Sequence, residues 1–433
     1  MIYYSTNGNA PFATLRKAVV KGLAEDRGLY MPEFIRPLPR SFFDNIQDMT
    51  FQEVSCAVAD AFFGDDVDKD ALHRIVCDTL SFDCPTVNIG DGIYALELFH
   101  GPTLAFKDVG GRFMARLLQY FTAGERLNVL VATSGDTGSA VANGFLGVEG
   151  IHVFVLYPKG KVSPIQECQF TTLGRNITAL EVDGVFDDCQ ALVKNAFMDA
   201  ELNSAMRLTS ANSINVARFL PQSFYYFWAY AQMKKAGLAD ELVICTPSGN
   251  FGNICSGLFA KRMGLPVKRF IAANNANDVF YEYLRTGEYK PRASVQTIAN
   301  AMDVGDPSNF ARILDLYGHS HEAVCADISG ATYSDAQIAE TIKDVYSRTG
   351  YLCDPHGACG YRALKEGLQP GETGVFCETA HPAKFKDTVD RIIGGDIEIP
   401  EKLQKFMQGI KQNVEISKEY DCFKDFLLKK VSH

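Results

Sequence analysis

Strands alternating with helical periodicities from about residue 107 onward predict an α/β protein built mainly on parallel sheets. Two further observations support that class. Apolar runs at 128–133 and 243–246 are each followed by a loop of small or hydroxylated residues and then by a helix. The chain, at 433 residues, is long enough for two or three domains with sizeable cores.

The elements are justified in order. Residues 1–95 read as a helical N-terminal domain, with a proline-marked loop around Pro32, Pro37 and Pro39 and helices at 41–62 and 70–80. Gly101-Pro102 then breaks the backbone, and Val109, Phe113, Met114, Leu117 and Leu118 recur at helical spacing. Strands follow at 128–133, 152–157 and 177–182, with helices at 139–147, 163–173 and 187–202 between and after them. The second half continues the same alternation, with an aromatic-rich helix at 222–235, strands at 241–246 and 268–273, and a helix at 254–263. Residues 274–330 are less regular. Helices near 334–347, 357–367 and 383–393 flank a last strand at 374–377. No internal repeat or long linker separates these parts, so two interleaved α/β domains are expected, 96–125 with 215–433 and 126–214.

Composition narrows the function. Hydrophobic residues make up 47% and charged residues 22%, as in a globular protein. The formal net charge of −10 argues against nucleic acid or an anionic membrane as main partner, while leaving room for a small anion at a local cationic site. The 12 cysteines are scattered through apolar runs, as thiols in a reducing cytoplasm would be. The first residues lack signal-peptide character, and no apolar run reaches membrane-spanning length.

Lys107 is the first chemical candidate. It sits at a helix start among Leu104, Ala105 and Phe106. Desolvation and the positive helix end both lower the pKa of an amine there, and a partly neutral lysine can attack a carbonyl to form a Schiff base. The competing reading is an ordinary surface cation.

Two loops shift the balance. Thr133-Ser134-Gly135-Asp136-Thr137-Gly138 lies between a strand and a helix and exposes backbone N–H groups suited to a carboxylate or phosphate. A plain N-cap is the alternative. Pro247-Ser248-Gly249-Asn250-Phe251-Gly252-Asn253 again follows a strand and opens a helix. Gly249 and Gly252 permit close backbone approach, and Ser248, Asn250 and Asn253 add donors. It is neither a dinucleotide fingerprint nor a Walker A loop. A Schiff-base lysine with two anion cradles describes pyridoxal phosphate and an amino-acid substrate.

The blocks 99–108 and 132–138 resemble the long bacterial and fungal type of threonine synthase. Ser210-Ala211-Asn212-Ser213-Ile214-Asn215, residues 247–253 and Thr379-Ala380-His381-Pro382-Ala383-Lys384-Phe385 extend the likeness in the same order over nearly the whole chain. The resemblance implies a fold-type II pyridoxal phosphate enzyme, with the 96–125 and 215–433 segments as the large cofactor-binding domain and 126–214 as the small one. It implies conversion of O-phospho-L-homoserine and water into L-threonine and phosphate. Carried over by motif, Lys107 bears the Schiff base, and Ser248, Gly249, Asn250, Phe251, Gly252 and Asn253 hold the cofactor phosphate. Thr379 faces the pyridine nitrogen. Ser134, Gly135, Asp136 and Thr137 form the loop for the substrate carboxylate. Asn212, Ser213, Asn215 and Arg218 lie near the substrate phosphate, with Lys161 and Ser163 competing for that role. Asp136 stands beside the cofactor's phenolic oxygen where related enzymes often carry Asn, so a proton retained between two like charges is expected.

Other candidates weigh less. Cys353, His356 and Cys359 have zinc-like spacing but read as a turn into a helix without a fourth ligand, so no metal is expected. His319 and His321 read as surface residues, and the aromatic run 224–230 as helix packing. His100 and His381 fall in the matching blocks as either site-lining or core residues. The competing functions are a lyase of the same fold that releases 2-oxobutanoate, and a non-catalytic cofactor-binding protein acting through partners.

Overall fold

The computed structural model describes residues 1–431, which form three sheets wrapped by helices. The smallest sheet is antiparallel and N-terminal, from Ile2–Ser5, Ala13–Thr14 and Tyr30–Pro32. It accompanies the expected helices, although the one expected over 41–62 is broken. A 3-10 turn at Ile46–Asp48 intervenes, and Phe51–Phe63 begins afresh behind Thr50. Thr50 and Glu53 cap each other reciprocally there, with Thr50 N donating to the Glu53 carboxylate at 2.7 Å.

Six strands form the largest sheet, in the order Ile328–Thr332, Arg269–Asn274, Leu242–Pro247, Thr373–Glu378, Ile93–Glu97, Thr86–Gly90. All its pairs are parallel except the last, a hairpin. Five parallel strands form the other, in the order Asn413–Ser417, Ile177–Asp183, Ile151–Pro158, Leu127–Ala132, Leu208–Ser210. Leu242–Pro247 is buried at every position, as a central parallel strand covered on both faces must be.

Several elements differ from the sequence expectation. Residues 86–97 supply a hairpin to the six-stranded sheet instead of belonging to a purely helical N-terminal unit. Asn413–Ser417 lies beyond the strand expected to be last, and pairs with Ile177–Asp183. The helix expected over 187–202 is two, Phe186–Met198 and Ala200–Ala205. Asp199 leaves helical geometry and accepts a hydrogen bond from Leu202 N, starting the second. The stretch 274–330 contains the helices Val279–Thr286, Phe310–Leu316 and His321–Asp327 and an edge strand. Among the described residues no helix is long and apolar enough to cross a membrane.

The helix Lys107–Thr122 crosses Asp136–Phe145 at backbone contact, and this positions the site. A Cβ on Gly111 would lie 2.8 Å from Ala140 O, and one on Gly144 2.7 Å from the Gly111 carbonyl carbon. Any side chain at either position would push the two helices apart. The starts of both helices carry the functional candidates.

Candidate active site

Three neighbouring strands of the large sheet deliver three site segments at their carboxyl ends, where ligands of open α/β sheets bind. Ile93–Glu97 leads to Lys107, Leu242–Pro247 to the 248–253 loop, and Thr373–Glu378 to Thr379. A fourth segment, Thr133–Gly138, follows Leu127–Ala132 of the five-stranded sheet.

Lys107 is the first residue of its helix. The preceding loop is stitched to the 379–381 segment by an Ala105–Ala380 bridge, by Phe106 N donating to Thr379 O at 2.9 Å and by His381 N donating to Leu104 O at 3.1 Å. Tyr225 Oη also donates to Phe106 O. Burial, together with the Lys384 and Arg218 charges, pulls the Lys107 amine down to about 8 against the opposing pull of Asp136. A useful fraction of this amine is therefore neutral near pH 7. Lys384 and Arg218 are the further cations acting on it, and Asp136 is the opposing carboxylate.

Asp136 opens the helix Asp136–Phe145 behind Gly135, whose φ of +146° strongly favours glycine. Its carboxylate is not left facing a second anion without compensation. Oδ1 lies 2.6 Å from Lys384 Nζ and accepts from Gln166 Nε2 at 2.9 Å. Burial alone would raise this carboxyl, but Lys384, Lys107 and the Gln166 hydrogen bond hold it well below the usual carboxylate range. The proton expected between Asp136 and the cofactor's phenolic oxygen is therefore not held on Asp136, whose charge a lysine ammonium matches. Ser134 is exposed and Thr137 half-buried on the same loop. Thr133 Oγ1 closes the turn by accepting from Gly135 N and Gly138 N at 2.9 and 2.8 Å.

The 248–253 loop fits a phosphate. A Cβ on Gly249 would collide with backbone, 2.7 Å from Ala301 O and 2.8 Å from Met302 Cα, so only glycine keeps this path. Phe251 takes φ +61° and turns the chain into the helix Gly252–Arg262, whose first-turn N–H groups have no intrahelical acceptor. Asn253 is buried, its Oδ1 accepts from Tyr226 Oη at 3.0 Å, and its Nδ2 has no partner. An orphaned buried donor at a helix N-terminus suits an anionic oxygen. Ser248 Oγ, by contrast, donates to Thr246 O at 2.9 Å, and Asn250 ties the loop down through Ser213 Oγ at 2.6 Å and Ser308 N at 2.7 Å.

The 212–218 block divides. Arg218 is buried and donates to Ala211 O; among the described residues its Nε is unpartnered and it pairs with no carboxylate. Burial lowers its guanidinium to about 10, so it remains charged. Asn215 instead uses its amide inside the protein, donating to Val19 O at 2.9 Å and accepting from Ala217 N at 3.0 Å. Ser213 supports Asn250, and Asn212 donates its N–H to Ser210 Oγ at 3.3 Å. Ser163 caps the helix Pro164–Thr171 and donates to Gln166 Oε1 at 3.0 Å, reaching Asp136 only through Gln166. Lys161 lies in the exposed turn before it.

Several residues that shape the site have roles the sequence does not disclose. Lys384 and Gln166 are the partners of Asp136. Arg312 is wholly buried, donates to Tyr30 O and Ile214 O, and holds Asn309 Oδ1 at 2.7 Å, while Asn309 Nδ2 donates to Asn250 O at 3.0 Å. The N-terminal sheet thereby braces the phosphate loop. Behind Thr379, buried Glu378 accepts from Asp354 N at 2.5 Å, and burial, then Asp354, pushes its carboxyl well above the usual range. His356 is bonded to Asp354 and accepts from Ala301 N at 3.1 Å. It supports the turn against which Gly249 packs. His100 pairs with Glu97 at 2.7 Å. His381 caps the turn Pro382–Phe385 and is held neutral by burial, at about 4. His321 begins a helix and sits 3.0 Å from Leu284 O.

A buried amine of lowered pKa and a glycine-built anion loop, both at the carboxyl edge of one sheet, are the constellation of a pyridoxal phosphate site. The family described as pyridoxal-phosphate dependent enzyme matches residues 78–378, which defines the class. The threonine synthase N terminus matches 2–80 and the threonine synthase C-terminal region 357–427. The chain is 45% identical over 416 residues to threonine synthase of Haemophilus influenzae, covering 96% of this chain and 97% of that one. The crystal structure of threonine synthase from Escherichia coli superposes with TM-score 0.93 at 40% identity, over 99% of this chain and 100% of that one. A threonine synthase from Brucella melitensis, solved with pyridoxal phosphate bound, gives TM-score 0.93 at 35% identity over the full length of both chains. The chain belongs to the threonine synthase family of fold-type II pyridoxal phosphate enzymes.

Proposed function

We propose that this chain takes O-phospho-L-homoserine as substrate, eliminates its phosphate and adds water to give L-threonine. Arg218 carries this reading: a buried, charged guanidinium with an unpartnered Nε and no carboxylate partner among the described residues suits the phosphate that such a substrate brings. Bound pyridoxal phosphate supplies an electron sink that acidifies the carbon–hydrogen bonds of the amino acid. Gly249, Gly252 and the N-terminus of Gly252–Arg262, with Asn253 Nδ2, would hold its phosphate, and Thr379 would face its ring nitrogen.

The protein's own groups then divide the work. Lys107 anchors the cofactor and, once free, is neutral often enough near pH 7 to take the α-proton on Nζ and return protons along the same face. The N–H groups of 134–137 orient the substrate carboxylate. Arg218, charged and lacking a carboxylate partner, stabilises the phosphate as it departs. Thr379, a neutral hydroxyl, leaves the ring nitrogen less cationic than a carboxylate would, which favours elimination and replacement over amino-group transfer.

The test is to incubate the purified protein with O-phospho-L-homoserine and assay threonine, 2-oxobutanoate and phosphate separately. Threonine and phosphate in equal amounts are expected. 2-Oxobutanoate as the main organic product would make the chain a lyase that stops after elimination, and no phosphate release would remove the substrate assignment.

A further inference from the structure

We propose that Lys384 is a positioning residue of this site, clamping the Asp136 loop of the five-stranded layer to the Lys107 loop of the six-stranded layer and setting the charge around Lys107. The proposal rests on the reading of Lys107 as the amine that anchors the cofactor.

The geometry is specific. Lys384 lies on the turn Pro382–Phe385 with its side chain wholly excluded from solvent. Nζ is 2.6 Å from Asp136 Oδ1 and donates to Thr103 O at 2.9 Å, in the loop that leads into Lys107. Gln169 Nε2, from the helix Pro164–Thr171, reaches the same Thr103 carbonyl at 3.0 Å. Gln166, one turn earlier on that helix, completes the Asp136 carboxylate. One ammonium therefore joins a loop at the end of each sheet, and one helix reaches both of its partners. A buried ammonium is costly to desolvate and is retained where both charges are matched and hydrogen-bonded, as here.

The charges around Lys107 come from several elements. Asp136 faces it from the helix Asp136–Phe145, Arg218 from Val216–Phe219 and Lys384 from Pro382–Phe385. Asp108, next on its own helix, is bound by Thr103 at 2.6 and 2.9 Å. Tyr225, on Ser223–Lys235, touches the loop as a neutral phenol, because burial pushes its pKa well up. Asp136 favours the charged form of Lys107 and Lys384 disfavours it, so the two act on it in opposite directions. Loss of either member should expose the other, with opposite signs.

Lys384→Met, Asp136→Asn and the double variant, each as the full chain stripped of cofactor, should be acetylated with acetic anhydride across a pH series, with Lys107 modification read by peptide mass spectrometry. The wild-type midpoint should lie near 8. Lys384→Met should raise it and Asp136→Asn lower it, each by about one unit, and the double variant should fall between the two. The double variant should also melt above Lys384→Met, because it no longer buries a lone carboxylate. Midpoints that move in the same direction in both single variants, or not at all, would overturn the proposal. So would a double variant that melts no higher than Lys384→Met. Borohydride reduction of the wild-type holoenzyme separates the two readings: cofactor fixed to a residue other than Lys107 sinks the anchoring assignment, whatever the clamp does.

Discussion

Gly249→Ala is the sharpest test of how the phosphate loop is built. The added methyl would sit 2.7 Å from Ala301 O and 2.8 Å from Met302 Cα. Ordinary carbon contacts lie near 3.5 Å or beyond, so relief requires a shift of roughly 0.7 Å in backbone on one side or the other. The 299–302 turn cannot yield easily. Ala301 N is held by His356 Nε2 at 3.1 Å, Met302 N by Ala299 O at 3.0 Å, and Ala299 O also accepts from Asn275 Nδ2 at 3.1 Å. The phosphate loop is restrained as well, through the Asn250 bonds, but it ends in the orphaned Asn253 donor and is the freer partner.

Overpacking of this kind costs about 1–3 kcal/mol. If the loop is displaced, the cost appears in the bound state and weakens cofactor affinity by roughly 5- to 150-fold. Titration of the cofactor-free chain with pyridoxal phosphate, followed by absorbance, measures this directly, and a melt of the cofactor-free chain measures what remains in the fold. Affinity within about twofold of wild type together with an unchanged melt would show that Gly249 has room, and would refute the cradle.

Four further outcomes are expected. Lys107→Ala should abolish threonine formation and leave no cofactor covalently trapped by borohydride, read by mass spectrometry. Arg218→Ala should raise KM for O-phospho-L-homoserine and lower kcat at unchanged cofactor content; collapse of cofactor content at constant KM would place Arg218 in the cofactor site or the fold. Asn215→Ala should lower stability by about 1–3 kcal/mol in urea unfolding, because Val19 O loses its donor and Ala217 N its cap; a large kcat loss at full stability would return Asn215 to the substrate. Lys107 sits at about 8 when folded, below its ordinary value, so the unfolded chain binds the extra proton and burial penalises the fold fully below pH 8. The stability gain of Lys107→Met over the cofactor-free wild type should therefore be largest near neutral pH and fade toward roughly pH 10.4.

What the sequence discloses about the fold depends on whether the signal is local. Leu127–Ala132 and Leu242–Pro247 are legible because a buried parallel strand reads as a short apolar run followed by turn residues. The hairpin Thr86–Gly90 and Ile93–Glu97 has a usable mark in Asp91-Gly92, where both residues take positive φ. Its shortness beside two strong helices obscures it. Asn413–Ser417 is a half-exposed edge strand whose partner, Ile177–Asp183, lies far back in the chain, and neither period nor composition announces such pairing. Asp199 could signal its break, since an aspartate within an otherwise continuous helical pattern is also a good N-cap.

In the site, residue types in a loop are readable, but their partners are not. Asn215 and Arg218 stand in one motif and could each serve an anion. Only the fold reveals that the amide is used by Val19 and Ala217 while the guanidinium has no carboxylate to pair with among the described residues. Asp136 shows the limit most clearly. Taken with its neighbours in sequence, an acid in an anion-binding loop is a conflict, and the resolution available at that level is a retained proton. Lys384 removes the conflict from a distant part of the chain by placing an ammonium 2.6 Å from the carboxylate. It also ties that carboxylate to the Thr103 carbonyl, so the charge that looks unfavourable in the loop is half of the contact between the two layers. An asparagine at 136 could accept a hydrogen bond from Lys384 but could not neutralise it. The acid at 136 and the buried lysine at 384 are therefore best understood as a single feature, and substitutions at one should be tolerated mainly when the other changes too.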